Sequence, residues 1–263
     1  MKKRHTIKSL QKMKGVEKIA MITAYDALFS NLFDGEIDII LVGDSLNMSF
    51  RGEPDTLSAD MDIMIYHTKA VCKGATNTFI VADMPFGTYT TKEEALSNSI
   101  RFYRETCTDA VKVEGGIERA ETIRYLTQNG IAVVGHIGLM PQSFRGEGGY
   151  FVKGKDGDSF QKVLNDGLAV EKAGAFMVVV EGVKEELAKE LAENLTIPVI
   201  GIGAGKDVDG QVLVWSDMLG FFDKFKPKFV KRYLDGGELV RQSVTNYVKE
   251  VKEGLFPAKE HIY

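Results

Sequence analysis

Disulfide bonding, membrane insertion and nucleic-acid binding have little to draw on in this sequence. Its 263 residues contain two cysteines, six prolines and one tryptophan. Cys72 and Cys107 lie inside helix-like segments with no paired framework around them. They read as small packing residues in a reducing cytosol, so a cytoplasmic location is expected. No uninterrupted apolar stretch approaches the roughly 20 residues that span a bilayer. The basic start Met1-Lys2-Lys3-Arg4-His5 is not followed by an apolar h-region, which argues against a signal peptide. Positive charge is in short supply overall: 33 Lys and Arg face 37 Asp and Glu, for a net charge of -4. With no basic stripe, that balance argues against a nucleic-acid partner. Nothing matches G-x-x-x-x-G-K-[ST], so P-loop chemistry is unsupported. Gly201-Ile202-Gly203-Ala204-Gly205 is not G-x-G-x-x-G and comes late in the chain. It reads instead as close backbone approach at a barrel mouth.

What the chain does have is an alternation of strand and helix signals from end to end. Short apolar runs predict strands at Lys18–Thr23, Ile37–Val42, Phe79–Ala82, Ala110–Val113, Ile131–Val134, Met177–Val180, Val199–Ile202 and Val212–Trp215. Helical periodicity separates most of them, at Ala27–Phe33, Ala59–Ala75, Thr91–Thr106, Ile117–Gln128, Phe160–Ala173 and Lys184–Asn194. Eight such units without a Pro- or Ser-rich linker favour a closed (β/α)8 TIM barrel, a fold of about 250 residues. Residues 1–263 are therefore expected to form a single barrel domain with C-terminal helices, at Lys228–Tyr233 and Gly237–Lys252. The glycine-rich stretch Met140–Asp158 is longer than the usual connection and reads as a lid over the catalytic face, with a surface insertion as the alternative.

Three of the apolar runs end in an acid: Val42-Gly43-Asp44, Val81-Ala82-Asp83 and Val111-Lys112-Val113-Glu114. Runs of this kind are typical of buried parallel strands. Acids at their carboxyl ends converge on one mouth of a barrel, where they repel each other unless a cation intervenes. A hard divalent ion with oxygen ligands, magnesium first, is the natural choice. The alternative is that each acid only caps the helix that follows. The other strand ends offer Tyr25 and Asp26, Ser45, Lys112, His136 and Glu181. Lys112 and Glu114 are two residues apart, so they share the inward face of one strand. A lysine there can neutralise a substrate carboxylate or an enolate oxygen, or simply pair with Glu114 or Asp83. His136 is either a site residue or a hydrogen-bonded core histidine. Glu181 follows Met177-Val178-Val179-Val180, where desolvation should make a carboxylate a better base, unless it pairs with a lysine such as Lys184.

Several ordered segments resemble the ketopantoate hydroxymethyltransferase family. They are Thr23-Ala24-Tyr25-Asp26, Val42-Gly43-Asp44-Ser45-Leu46, Val81-Ala82-Asp83-Met84-Pro85-Phe86-Gly87, Val111-Lys112-Val113-Glu114-Gly115-Gly116 and Gly135-His136-Ile137-Gly138-Leu139-Met140-Pro141-Gln142. Gly201–Gly205 and Asp209–Val214 continue the match, which runs from about Lys18 to Phe256-Pro257.

The resemblance implies a barrel of the phosphoenolpyruvate/isocitrate lyase-like group, dependent on Mg2+ and assembled as a homo-oligomer, commonly a decamer. It implies transfer of a hydroxymethyl group from 5,10-methylenetetrahydrofolate to 3-methyl-2-oxobutanoate, through an enolate. Asp44, Asp83 and Glu114 match its metal-site acids. Asp44, Ser45, Asp83, Lys112 and His136 match residues of the 2-oxo acid site, and Glu181 matches the base. The chain departs from the family pattern at Asn47, where glycine is usual, and at Met140, where threonine is usual. Gly182-Val183-Lys184 stands where Cys-Val-Pro is commoner, and Met48–Leu57 also differs in texture. Two other readings are a magnesium-dependent C–C lyase of the same group and a non-catalytic barrel scaffold. The first usually carries a K-K-C-G-H-type loop, which is missing; the second predicts loss of charged strand-end residues, all of which are present.

Overall fold

The computed structural model describes residues 4–222 and 227–263; Met1, Lys2 and Lys3 of the basic start lie outside the described residues. Two compact units divide the chain, Met1–Val214 and Trp215–Tyr263. The first is a closed barrel of eight parallel strands in sequential order, β1 pairing with both β2 and β8. The strands are β1 (Ile19–Thr23), β2 (Ile39–Val42), β3 (Phe79–Asp83), β4 (Ala110–Glu114), β5 (Val133–Gly138), β6 (Met177–Glu181), β7 (Val199–Ile202) and β8 (Gly210–Leu213). The helices of this unit are α1 (Ile7–Met13), α2 (Ala27–Phe33), α3 (Leu46–Ser49), α4 (Met61–Gly74), α5 (Lys92–Glu105), α6 (Ala120–Gln128), α7 (Phe144–Glu147), α8 (Gly157–Lys172) and α9 (Glu185–Asn194). The second unit holds α10 (Trp215–Met218) and α11 (Gly236–Lys252). Among the described residues, no helix is long and apolar enough to cross a membrane.

Strand alternation builds the site. Inward positions run Phe79, Val81, Asp83 on β3, Ala110, Lys112, Glu114 on β4 and Met177, Val179, Glu181 on β6, with apolar members in one core cluster. Each column is apolar at its base and charged at its carboxyl end. Register sets Asp83 beside Lys112 and Glu114 beside His136. A period of two thus puts hydrophobic filling and chemistry on the same face of the same strand.

The opposite mouth is closed by the segment before β1. Thr6 caps α1, accepting from Ser9 N at 3.2 Å, and Leu10 and Met13 join the barrel core. Three acids ring this mouth, each immediately before a strand. Asp38, Asp109 and Asp209 accept the backbone N–H groups of Ala20 (2.9 Å), Ile80 (2.8 Å) and Val199 (2.9 Å) on the neighbouring strands. Each also meets a base from the first segment: His5 at 3.2 Å, Arg4 at 2.6 Å and Lys14 at 2.6 Å.

Several expectations need correction. Cys72 and Cys107 are joined in a disulfide, not separate packing thiols. Cys72 lies near the end of α4 and Cys107 just after α5, and neighbouring outer helices bring these positions together across 35 residues of sequence. Lys228–Tyr233 forms no helix, whereas α11 covers the other C-terminal expectation. The eighth strand starts two residues earlier than its apolar run, and Trp215 already begins a helix.

Candidate active site

Asp44, Ser45, Asp83, Lys112, Glu114, His136 and Glu181 gather at the carboxyl ends of β2 to β6. Asp44 N donates to Asp83 Oδ2 at 3.0 Å. Lys112 Nζ lies 3.0 Å from Asp83 Oδ1, 3.9 Å from Glu114 Oε1 and 3.0 Å from His136 Nδ1. His136 in turn is 3.4 Å from both Glu114 Oε1 and Glu181 Oε2. The Ser45 hydroxyl is hydrogen-bonded to Tyr25 Oη at 2.8 Å. None of Asp44, Asp83 and Glu114 caps a helix; α4 and α5 are capped by Asp60 and Thr91. Lys184 does not pair with Glu181, whose carboxylate faces His136 instead. Glu181 is also the most open acid of the group, its side chain 20% exposed against 3% for Glu114, so desolvation is weaker than its apolar strand suggests.

The electrostatics are unbalanced. Burial, then repulsion by Asp83 and Glu114, raises the Asp44 carboxyl well above the ordinary range. Burial also raises Asp83, although Lys112 and the Asp44 N–H oppose it. Burial pushes Lys112 down, but Asp83, Glu114 and Asp44 outweigh it and keep the ammonium charged. Burial and Lys112 disfavour a charged His136; Glu114 and Glu181 prevail and raise it to about 9. A full imidazolium would set two cations 3.0 Å apart, so the Lys112 contact is the one that must lengthen when the ring is protonated.

This donor set suits magnesium. Among the described residues, no three His, Cys, Asp or Glu side chains are arranged as a ready metal cage. Magnesium rarely uses one; it takes one or two carboxylates and completes its shell with water and substrate oxygens. Asp44 and Asp83 supply such a pair, and the strain on Asp44 is what an added cation would relieve. Glu114 is engaged elsewhere, by His136, Lys112 and the backbone N–H of Gln142 at 3.1 Å.

Gln142 and Tyr89 stand in this cluster without having been assigned a role from the sequence. Gln142 Nε2 donates to Asp44 Oδ2 at 2.8 Å and to Met84 O at 3.0 Å, and its Oε1 accepts from the Tyr89 hydroxyl. The run Met140-Pro141-Gln142 was the available signal, but its meaning depends on the chain folding back over the acids. That return starts at Gly138, whose φ is +91° and where a Cβ would sit 2.4 Å from Glu181 O.

The glycine-rich stretch beyond it is structured. Phe144 stacks on Tyr150 at 5.1 Å, Lys153 bridges to Val183, and Arg145 pairs with buried Asp55 at 2.6 Å. Two departures from the family pattern have local reasons. Asn47 is buried and bonds Asp55 O (2.7 Å) and Ser58 Oγ (2.9 Å), which organises the segment after α3. Gly182 adopts φ +57°, where a Cβ would press on Leu139 at 2.9 Å.

The chain is similar along nearly its whole length to known proteins. The family model described as ketopantoate hydroxymethyltransferase matches residues 4–259. A 3-methyl-2-oxobutanoate hydroxymethyltransferase of Wolinella succinogenes is 62% identical over 258 residues, covering 98% of each chain. One from Nitratiruptor sp. is 58% identical across the full length of both. Among solved structures, a phosphonopyruvate hydrolase in complex with oxalate and Mg++ superposes with a TM-score of 0.64 at 11% identity, over 97% of this chain and 92% of that one. A 2,3-dimethylmalate lyase of the PEP mutase/isocitrate lyase superfamily gives 0.61 at 14% identity, over 98% and 91%. At such identities these two carry the barrel fold alone. The sequence matches, spanning nearly every residue, carry more: the chain belongs to the ketopantoate hydroxymethyltransferase family.

Proposed function

We propose that this protein transfers a hydroxymethyl group from 5,10-methylenetetrahydrofolate to 3-methyl-2-oxobutanoate. The products are 2-dehydropantoate and tetrahydrofolate, in the pathway to pantothenate. The observation that carries the reading is the row Asp44, Asp83, Lys112, His136 and Glu181 held in mutual contact at one barrel mouth. The names of the full-length relatives supply the group transferred and its acceptor.

Asp44 and Asp83 would hold Mg2+, with Glu114 as the third acid of the site. Bound there, magnesium would supply Lewis-acid positive charge that makes C3 of the 2-oxo acid more acidic. Lys112 and Ser45 orient the substrate, the ammonium offsetting charge that builds on oxygen. Glu181, open enough to reach substrate, takes the proton from C3. His136 beside it stabilises the carboxylate before that transfer and the redistribution of charge after it. The resulting carbon nucleophile forms a C–C bond to the one-carbon unit of the folate. Water replaces the folate nitrogens on that carbon, leaving a hydroxymethyl group, and the C3 proton and one proton of the water pass to those nitrogens as tetrahydrofolate is released. The same reading makes the protein a homo-oligomer, commonly a decamer in the family. Exposed Val240, Val244, Tyr247 and Val251 on α11 give the second unit an apolar stripe suited to that role.

The test is formation of 2-dehydropantoate by the purified protein with both substrates and Mg2+, with and without chelator. No product, or product indifferent to chelation, would overturn the reading. Glu181→Gln should abolish solvent-deuterium exchange at C3 and leave magnesium affinity within about twofold of the unaltered protein; undiminished exchange would remove Glu181 as the base.

A further inference from the structure

The Gln142 amide is fully satisfied, and in only one orientation. Its NH2 group faces two acceptors, Asp44 Oδ2 and Met84 O, while its oxygen faces the Tyr89 hydroxyl. Rotating the amide by half a turn would set its oxygen against a carboxylate and a carbonyl, and its NH2 against a hydroxyl. Both hydrogen bonds to those acceptor oxygens would then break. Tyr89 is buried, and its phenol is kept protonated by burial and by Glu114 and Asp44, so it serves as the donor. It is held from behind by Arg119, whose guanidinium lies 5.1 Å from the ring centroid and donates to Tyr89 O at 3.4 Å. The backbone N–H of Gln142 meanwhile binds Glu114 Oε2 at 3.1 Å. One residue therefore touches two of the three acids, and a second fixes which way it points.

We propose that Gln142 and Tyr89 are positioning residues for the acid group: Tyr89 sets the Gln142 amide, and Gln142 sets the placement of Asp44 relative to Glu114. The proposal rests on the functional reading above, since it gives the placed carboxylates a cation to receive. Neither residue is asked to touch the reacting atoms. Their effect passes through Asp44, so it should register in metal affinity before any substrate is present.

The experiment is calorimetric titration of Mg2+ into the unliganded protein, its Tyr89→Phe and Gln142→Met variants and the double variant, with thermal melting to confirm folding. Gln142→Met should weaken binding about tenfold and Tyr89→Phe about threefold, as expected for hydrogen bonds to a charged and a neutral partner. The double variant should bind no more weakly than Gln142→Met, because Tyr89 acts only through the amide that variant lacks. Unchanged affinity in Gln142→Met, or effects that multiply in the double variant, would overturn the assignment alone. Absence of magnesium binding by the unaltered protein would overturn the metal reading and this assignment together. Should Gln142→Met fail to fold, Tyr89→Phe decides, and unchanged affinity there overturns the proposal.

Discussion

The two mouths of the barrel each carry a ring of acids, and the rings are built on opposite plans. At the amino ends of the strands, Asp38, Asp109 and Asp209 each bind one strand N–H and one base from the first segment. The acids tie strands to each other and to the segment that seals the core. At the carboxyl ends, Asp83, Glu114 and Glu181 share Lys112 and His136, and Lys112 also acts through space on Asp44. Each acid of the first ring meets a different base, whereas the four acids of the second converge on the same lysine and histidine. A barrel stabilises itself at one mouth and keeps an electrostatic deficit at the other, where a cation and an anionic substrate can enter.

The largest break in that comparison is expected from Asp44→Asn. Asparagine retains an oxygen for the Gln142 amide but not the charge, so activity should fall at least about a thousandfold, the equivalent of several kcal/mol of lost charge stabilisation. Its melting temperature in chelator should stay level or rise, because Asp44 is repelled by Asp83 and Glu114; a clear fall would mean that the upper ring is structural too. Asp209→Ala should do the reverse. Among the described residues, it leaves the Lys14 ammonium with only the Ala192 carbonyl at 2.8 Å and removes the acceptor of the Val199 N–H, at about 3 kcal/mol in denaturant unfolding. Activity per folded molecule should be retained, and loss of activity at full stability would erase the distinction.

Much of this plan was legible in the sequence because buried parallel strands are written as plain apolar runs. The acids stood out by ending such runs. Legibility failed where strand identity depends on pairing. β5 continues through Gly135, His136 and Gly138 because β4 and β6 pair with it, although its apolar run stops at Val134. β8 begins on Gly210-Gln211, which carry no strand signal of their own. The lower ring was invisible for a different reason: an aspartate at the start of a strand, such as Asp38 within the expected run Ile37–Val42, shows no role until the neighbouring N–H and a base from residues 4–14 meet it. The Cys72–Cys107 link and the Gln142 contacts are likewise matters of spatial proximity, which no local pattern encodes.

Asp55 tests whether the upper deficit needs the glycine-rich stretch held in place. Its partner Arg145 has a side chain 67% exposed, so the ion pair itself should contribute less than about 1 kcal/mol to stability. Asp55→Asn should nonetheless lower kcat/KM several-fold, about 1 kcal/mol, by loosening the segment that carries Gln142. Equal kcat/KM would separate that segment from the acids.

The smallest effect concerns an acid belonging to neither ring. Asp217, in the second unit, is half-buried, and burial pushes its carboxyl up to about 6 although Arg232 opposes the shift. An acid raised on folding favours the folded state only while protonated. Its contribution is therefore fully present below the unfolded value near 4 and is lost as pH rises through about 6. Asp217→Asn should consequently be more stable than the unaltered protein above pH 6 and indistinguishable near pH 4. Partial exposure screens the effect to below about 1 kcal/mol. Melting curves from pH 4 to 8 check the sign: a pH-independent difference would show that Asp217, like the lower ring, has found a matched partner, whereas the expected slope would mark it as a milder case of the imbalance at the upper mouth.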